Sequence, residues 1–372
     1  MTRLGVAAAL VDGEIVPGDV EVDGGAVAAV GVAPAGAAGL AAPGFIDVQV
    51  NGYAGVDFLA TDAAGLLEAG AAMARAGVTA YQPTLISMPE GAYAPALTAV
   101  RDARDARDAR PRGARVLGAH LEGPFLSPKR VGAHNPANVV APDLALAARL
   151  LDLGPITHMT VAVEEPGGED LVRFLVGRGV VVALGHSDAD ADAARRGFDL
   201  GARAVTHLFN AQRRWESRDP GLPGVALTRD DVFVTLIVDG FHLAPETTQL
   251  AWRAAGGRFV LVTDAIEAAG MPDGPYVIGD RQTVLRDGAV RLADGTLAGS
   301  ALTMDAAVRN LVDLGVPAPD ALAAASRVAA RLLRREDEFG DLRPGLRADV
   351  VVLDDALRVR RTLVGGDEVF AA

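Results

Sequence analysis

Short apolar runs alternate with amphipathic segments through the middle of the chain. Eight of these runs have the composition of buried strands, and they span Phe45–Val50, Val78–Thr84, Val116–Leu121, Ile156–Val163, Val180–His186, Ala204–His207, Phe233–Asp239 and Phe259–Asp264. Apolar positions with helical spacing follow most of them, most clearly in Thr61–Ala76, Asp143–Leu153, Asp188–Gly197 and Pro245–Ala255. Eight strand–helix units predict a closed (β/α)8 barrel of the TIM type, whose usual size is ~250 residues.

A doubly wound α/β sheet would show a similar alternation. Such a sheet commonly carries Gly-x-Gly-x-x-Gly after its first strand, and this motif does not follow Val50. The barrel is therefore preferred. After the eighth predicted strand, turn signals at Asp287-Gly288 and Asp294-Gly295 indicate a β-hairpin insertion near residues 276–299.

The two ends of the chain have the alternation and the turns of short strands. Residues 1–43 contain an apolar run from Leu4 to Val11 and turns at Asp12-Gly13 and Gly24-Gly25, while Asp349–Leu353 and Val359–Val364 resemble them near the C-terminus. We expect residues 1–43 and 343–372 to form one small β-sandwich domain, with the barrel at residues 44–342.

Composition narrows the class of function. A net charge of −13 argues against nucleic acid or an anionic membrane as a partner, and no apolar run approaches the ~20 residues of a membrane span. The absence of cysteine excludes thiolate chemistry and favours a cytoplasmic protein. Lys129 is the sole lysine and lies in a loop sequence, which disfavours a Schiff-base enzyme. The charge-balanced repeat at residues 101–110 is typical of a solvated helix face.

Polar side chains lie where the predicted strands end, and in a barrel these ends share one rim. They are Gln49, Asn51, Glu122, His186, His207, Asp239 and Asp264. Glu122, His186 and His207 form a donor set that suits zinc or a similar divalent ion with one open position. Asp264 could then act as general base toward a water molecule. The pattern predicts metal-assisted hydrolysis of an amide-like bond.

Several motifs in this order resemble the N-acetylglucosamine-6-phosphate deacetylases of the amidohydrolase superfamily. They include His120-Leu121-Glu122-Gly123-Pro124, Gly132-Ala133-His134-Asn135, Gly185-His186-Ser187, Thr206-His207-Leu208-Phe209-Asn210-Ala211, Asp239-Gly240-Phe241-His242 and Thr263-Asp264-Ala265. The resemblance implies a homodimer that removes the acetyl group from a phosphorylated N-acetyl amino sugar. It implies that Glu122, His186 and His207 bind the metal and that Asp264 is the base.

The same resemblance implies substrate contacts from Ala133, His134, Asn210, Ala211, Arg218, Asp239, His242, Leu297, Ala298 and Gly299. Part of the phosphate contact would come from a neighbouring subunit. The residues alone also leave a surface ion pair open for Arg218, a helix-start role for His242 and a turn role for His134. His120 and His158 are expected to be buried structural histidines.

The first predicted strand departs from the wider superfamily, because Gln49 and Asn51 stand where many members carry His-x-His. Amides are poor zinc ligands beside imidazole, so we predict one divalent metal ion per subunit, zinc in preference to iron, manganese or cobalt. The motifs do not separate the gluco from the galacto epimer of the substrate. A hydrolase of another amide, a sugar-phosphate isomerase or aldolase barrel, and a non-catalytic sugar-phosphate binder are the alternatives.

Overall fold

A barrel of parallel strands forms the centre of the protein. The computed structural model describes residues 1–106 and 112–372. Within them the barrel has eight strands, Phe45–Val50, Val78–Ile86, Ala119–Glu122, Ile156–Val161, Val181–Leu184, Ala204–Val205, Phe233–Leu236 and Phe259–Leu261, each paired in parallel with its neighbour in sequence. A bridge between Val50 and Ala265 and the bond from the Asp264 N–H to the Gln49 carbonyl (2.9 Å) close the ring. The predicted (β/α)8 fold is confirmed.

Helices follow the strands around the outside of the barrel. They are α1 (Ala63–Ala74), α2 (Glu90–Asp105), α3 (Leu144–Leu153), α4 (Gly168–Gly177), α5 (Ala191–Asp199), α6 (Gly221–Thr228), α7 (Pro245–Ala255), α8 (Met304–Asp313), α9 (Ala318–Ala324) and α10 (Arg327–Leu332), with 3-10 turns at Pro136–Asn138 and Gly256–Arg258. Asp62, Asp143 and Asp190 begin α1, α3 and α5, because their carboxylates accept hydrogen bonds from first-turn N–H groups.

The charged repeat was predicted as a solvated helix face, and α2 carries it as far as Asp105. Arg101, Asp102 and Asp105 are exposed, and Ala103 faces the core. The remainder of the repeat, from residue 107 on, lies outside the described residues.

Five of the eight barrel strands, from the fourth to the eighth, end before their predicted carboxyl ends, whereas the second and third extend to Ile86 and Glu122. Regular pairing ends two or three residues before His186, His207, Asp239 and Asp264. His186 (φ 46°), His207 (φ 30°) and Asp264 (φ 49°) have left-handed backbone, which is incompatible with a continuing strand. The prediction of one continuous third strand was also wrong. Gly118 (φ 132°) separates two short strands, Arg115–Val116 and Ala119–Glu122.

The chain termini together build a small β-sandwich. One sheet has the strands Thr2–Arg3, Asp19–Asp23 and Ala26–Val32, and the other has Ala8–Val11, Glu14–Pro17, Leu40–Pro43, Val350–Leu353, Val359–Val364 and Asp367–Ala371. Val20 and Val22 of the first sheet pack with Ala41, Val350 and Leu363 of the second. The sandwich is confirmed, and the boundaries at residues 43 and 343 remain a prediction.

The predicted hairpin insertion is a three-stranded antiparallel sheet, which we call the insertion sheet. Its strands are Gly274–Ile278, Arg281–Arg286 and Ala289–Arg291. Ile278, Leu285 and Val290 pack against Ile86, the last residue of the second barrel strand, and Ile266, which follows the eighth, so the sheet lies over the carboxyl rim. A two-stranded ribbon, Gly52–Tyr53 with Val56–Asp57, lies at the same rim. In the described part of the chain, no helix is long and apolar enough to cross a membrane.

Candidate metal-dependent active site

The three side chains predicted as metal ligands meet at the carboxyl rim of the barrel. Nε2 of His207 lies 2.9 Å from Oε1 of Glu122, and Nε2 of His186 lies 3.2 Å from the same oxygen. The two Nε2 atoms are 3.0 Å apart, and the three residues are 3–4% exposed. Tetrahedral zinc with bonds of ~2.1 Å places its ligand atoms about 3.4 Å apart. These three atoms can therefore share one ion after a small outward movement.

The protonation of the two ring nitrogens of His186 also fits a metal site. Nδ1 of His186 donates to the Arg130 carbonyl at 2.9 Å, which leaves the Nε2 lone pair directed at Glu122 and His207. Burial and the neighbouring His134 lower the pKa of His186 to about 4, so its imidazole is neutral. Burial opposes ionisation of Glu122, but the neighbouring imidazoles of His134, His186 and His207 outweigh it and hold the pKa of Glu122 well below its usual value. The donor set is a carboxylate and imidazole nitrogens, as zinc prefers.

The backbone at this site is unusual. The left-handed φ angles at His186, His207 and Asp264 cost on the order of 1–3 kcal/mol each for residues with a side chain, and strain of this kind is concentrated at functional sites. Gly123, directly after Glu122, also has a positive φ of 92°. A Cβ there would lie 2.3 Å from Oγ of Ser87, so only glycine fits this turn.

Asp264 is buried beside the candidate ligands and is held by two amides. Nδ2 of Asn51 donates to its Oδ1 at 2.7 Å. Nε2 of Gln49 donates both to this oxygen at 3.2 Å and to Oε1 of Glu122 at 3.0 Å. Burial and the nearby Glu122 carboxylate raise the pKa of Asp264 to about 7. A cation between the two carboxylates would favour the ionised form of Asp264, as a general base requires.

A buried aspartate positions the chain next to Asp264. Asp47, in the first barrel strand, accepts from Oγ1 of Thr263 at 2.5 Å and from its N–H at 3.3 Å. Oγ of Ser300 donates to the Thr263 carbonyl at 2.6 Å. Burial raises the pKa of Asp47 to about 7. These contacts fix the seam where the first and eighth strands close the barrel, and the sequence patterns gave no indication of them.

Two of the predicted substrate-contacting histidines are held by polar neighbours. The Ser87 N–H donates to Nδ1 of His134 at 3.2 Å, so the proton of His134 is on Nε2, which lies 3.8 Å from Oε2 of Glu122. Nδ1 of His242 lies 2.7 Å from Oδ2 of Asp239. Burial opposes ionisation of Asp239, but hydrogen bonds from His242 outweigh it and lower the pKa of Asp239. Asp239 therefore orients His242.

The other predicted buried histidines lie deeper in the barrel. His120 donates from Nδ1 to the Val48 carbonyl (3.1 Å) and has Nε2 2.8 Å from Oγ1 of Thr160. Its ring stacks on His158 at a centroid distance of 3.9 Å. Both are fully buried, and neither belongs to the ligand cluster found in the described residues.

A cavity of about 360 Å³ opens above the cluster. Of the predicted substrate-contacting residues, its wall contains Ala133, His134, Asn210, Ala211, His242, Leu297 and Gly299. Three other predicted residues do not line the cavity. Asp239 lies behind His242, Ala298 is completely buried, and Arg218 is exposed to solvent away from the cavity wall. A larger, open depression of about 670 Å³ lies elsewhere, around Pro128 and Glu164, and its wall includes no member of the ligand cluster.

Comparison with known proteins identifies the family. The amidohydrolase family profile matches residues 40–369. The chain belongs to the amidohydrolase family. It is 39% identical over 296 residues to the N-acetylgalactosamine-6-phosphate deacetylase of Escherichia coli O157:H7, which covers 79% of this chain and 78% of that relative. It is 39% identical over 309 residues to the human N-acetylglucosamine-6-phosphate deacetylase, with 80% and 74% covered.

Solved structures agree over the full length of this amidohydrolase. The N-acetylglucosamine-6-phosphate deacetylase of Thermotoga maritima superposes with a TM-score of 0.92 at 32% identity, and 100% of each chain is covered. A mutant of the Mycobacterium smegmatis enzyme in complex with N-acetyl-D-glucosamine-6-phosphate has a TM-score of 0.92 at 33% identity, with 100% of this chain and 99% of that chain covered.

Sequence reasoning missed part of the cavity wall of this amidohydrolase. The missed residues are Ile86, Gly132, Ile237, Ile278, Arg291 and Thr296. Ile278 and Arg291 come from the insertion sheet, where the sequence pattern predicts strands but gives no sign of a site. Gly132 had a signal, because it adjoins the Ala133-His134 motif, and a Cβ there would lie 3.0 Å from Cε1 of His186.

Proposed function

We propose that the protein is a metal-dependent deacetylase that converts N-acetyl-D-glucosamine 6-phosphate to D-glucosamine 6-phosphate and acetate. The single observation that carries this proposal is the convergence of Glu122, His186 and His207 beside the buried Asp264 at the floor of the cavity. The deacetylase relatives and the substrate-bound structural neighbour support the choice of substrate.

The side chains of the site divide the chemistry of amide hydrolysis between them. A divalent ion held by Glu122, His186 and His207 would polarise the acetyl carbonyl and acidify the attacking water. Asp264 accepts the proton of that water and returns it to the departing amine, while Asn51 and Gln49 hold the carboxylate in place. The Nε2 proton of His134 faces the cavity floor and can donate to the acetyl oxygen as negative charge develops there.

We propose one ion per subunit, with zinc preferred. The nitrogen atoms of Gln49 and Asn51 donate to carboxylates, so the first strand offers no imidazole for a second ion. Iron, manganese and cobalt are compatible with the same ligands. We also keep a cytoplasmic location as a prediction from the cysteine-free composition.

A substrate panel tests the proposed reaction. Acetate release should be fastest with N-acetyl-D-glucosamine 6-phosphate and slower by about tenfold or more with the unphosphorylated sugar, because charge-assisted contacts to phosphate are lost. The same assay with N-acetyl-D-galactosamine 6-phosphate decides between the epimers, since one relative acts on that sugar by name. Activity on neither phosphorylated sugar, with turnover of a cyclic imide or an acylamino acid, would contradict the proposal.

We propose a homodimer in which Arg218 reaches the partner's cavity. This arrangement accounts for an exposed Arg218 that lies outside the cavity of its own chain.

Mixed dimers test this arrangement. The Arg218→Ala and Asp264→Asn variants should each have low deacetylase activity toward the phosphorylated substrate when assayed alone. Dimers refolded from a mixture of the two should regain activity, because one site then combines an intact Asp264 with the partner's Arg218. The matched control is Arg214→Ala in the same exposed loop mixed with Asp264→Asn. No gain on mixing Arg218→Ala with Asp264→Asn would place Arg218 elsewhere.

A further inference from the structure

The charges that line the cavity are unevenly distributed. Glu122 and Asp264 lie at the floor and are 3% and 7% exposed. Among the described residues that line the cavity, Arg291 is the one arginine or lysine, and its side chain is exposed at the rim. An anionic group that enters with the acetamide toward the floor therefore meets a guanidinium at the mouth.

The insertion sheet holds Arg291 in this place. Arg291 ends the third strand and forms a backbone bridge with Leu297, which also lines the cavity. Nη1 of Arg291 donates to the Gly295 carbonyl at 2.8 Å, which closes the turn between them. Within the described part of the chain, the guanidinium makes this one hydrogen bond and pairs with no carboxylate. Most of the guanidinium N–H groups remain available to a ligand.

We propose that Arg291 binds the phosphate of the substrate from within the same chain and so determines specificity for the phosphorylated sugar. The inference rests on the proposed function. The acetamide on C2 and the phosphate on C6 lie on opposite sides of a hexose ring, so a substrate with its acetamide at the cluster directs its phosphate toward the rim. Guanidinium matches a phosphate with paired N–H groups. Arg291 thereby adds a cation to those that Arg218 and His242 supply.

Substitution at Arg291 separates phosphate binding from support of the turn. Arg291→Gln keeps an N–H that can reach the Gly295 carbonyl but removes the charge. It should raise KM for N-acetyl-D-glucosamine 6-phosphate by about ten- to hundredfold with little change in kcat. KM and kcat for the unphosphorylated sugar should stay within about twofold. Arg291→Lys should be intermediate, because an ammonium keeps the charge without the paired N–H groups.

Arg286→Gln is the matched control, because it removes the same charge from the same sheet outside the cavity and should leave both substrates unaffected. Titration calorimetry with D-glucosamine 6-phosphate gives the same comparison without turnover, and Arg291→Gln should weaken its binding by a similar factor. Equal losses with both sugars, or unchanged affinity for the phosphorylated ligands, would overturn the inference. A wild-type protein that binds D-glucosamine 6-phosphate through Arg291 but releases no acetate would contradict the proposed function instead.

Discussion

Asp264→Asn should lower kcat for deacetylation by about 10²–10⁴-fold, the usual contribution of a general acid–base group. Asparagine has the shape of aspartate, and its Oδ1 can still accept from Nδ2 of Asn51, so the local fold is preserved. It cannot take the proton of the attacking water. We therefore expect steady-state assays to report a loss in kcat with a nearly unchanged KM, and elemental analysis to find the full metal content.

The control for this substitution is Asp313→Asn at the end of α8, which removes the same charge from an exposed site and should leave kcat unchanged. If Asp264→Asn keeps more than about a tenth of the wild-type kcat, Asp264 is not the general base. Loss of metal along with activity would instead make Asp264 a ligand. The roles of base and ligand need to be distinguished because Asp264 lies close to the proposed ligand Glu122. Nε2 of Gln49 donates to both carboxylates.

The site residues that the sequence predicts are polar side chains that follow apolar runs. Glu122, His186 and His207 each follow an apolar run in which a polar residue needs a buried partner, so their positions in the sequence predict a shared site. The same reasoning placed the strands and their order, because each strand of a barrel is buried on both faces. The turn at Gly118, by contrast, has a signal in the sequence, because glycine within an apolar run often marks a break or bulge in a strand.

The unpredicted part depends on contacts between distant segments. The left-handed backbone at His186 and His207 has no local signal, because neither residue is glycine. Asp47 had no predicted role, and its partner Thr263 is 216 positions away. Arg291 lies between the buried Val290 and Leu292, so alternation predicts only that it is exposed. Packing of the insertion sheet on Ile86 and Ile266 brings it to the cavity. Periodicity cannot report which face of such a sheet meets a site.

Removal of the metal should abolish acetate release, and one equivalent of divalent ion per chain should restore it. Glu122, His186 and His207 are the proposed metal ligands at the buried floor, and the amides of Gln49 and Asn51 donate to carboxylates. The test is dialysis against a chelator, followed by titration with zinc while activity and metal content are measured. Activity should reach its plateau at one equivalent. A plateau at two equivalents, or activity that survives chelation, would reject the single-metal site.

Thermal unfolding provides a readout of the same site without catalysis. An ion present at 1,000 times its Kd stabilises the folded state by about 4 kcal/mol, so zinc should raise the Tm of the stripped protein by several degrees. Glu122→Gln replaces the carboxylate with a poor zinc ligand and should remove this increase. Glu246→Gln, on the exposed face of α7, is the matched control and should keep it. An equal increase in Tm for Glu122→Gln and the wild type would place the ion away from Glu122.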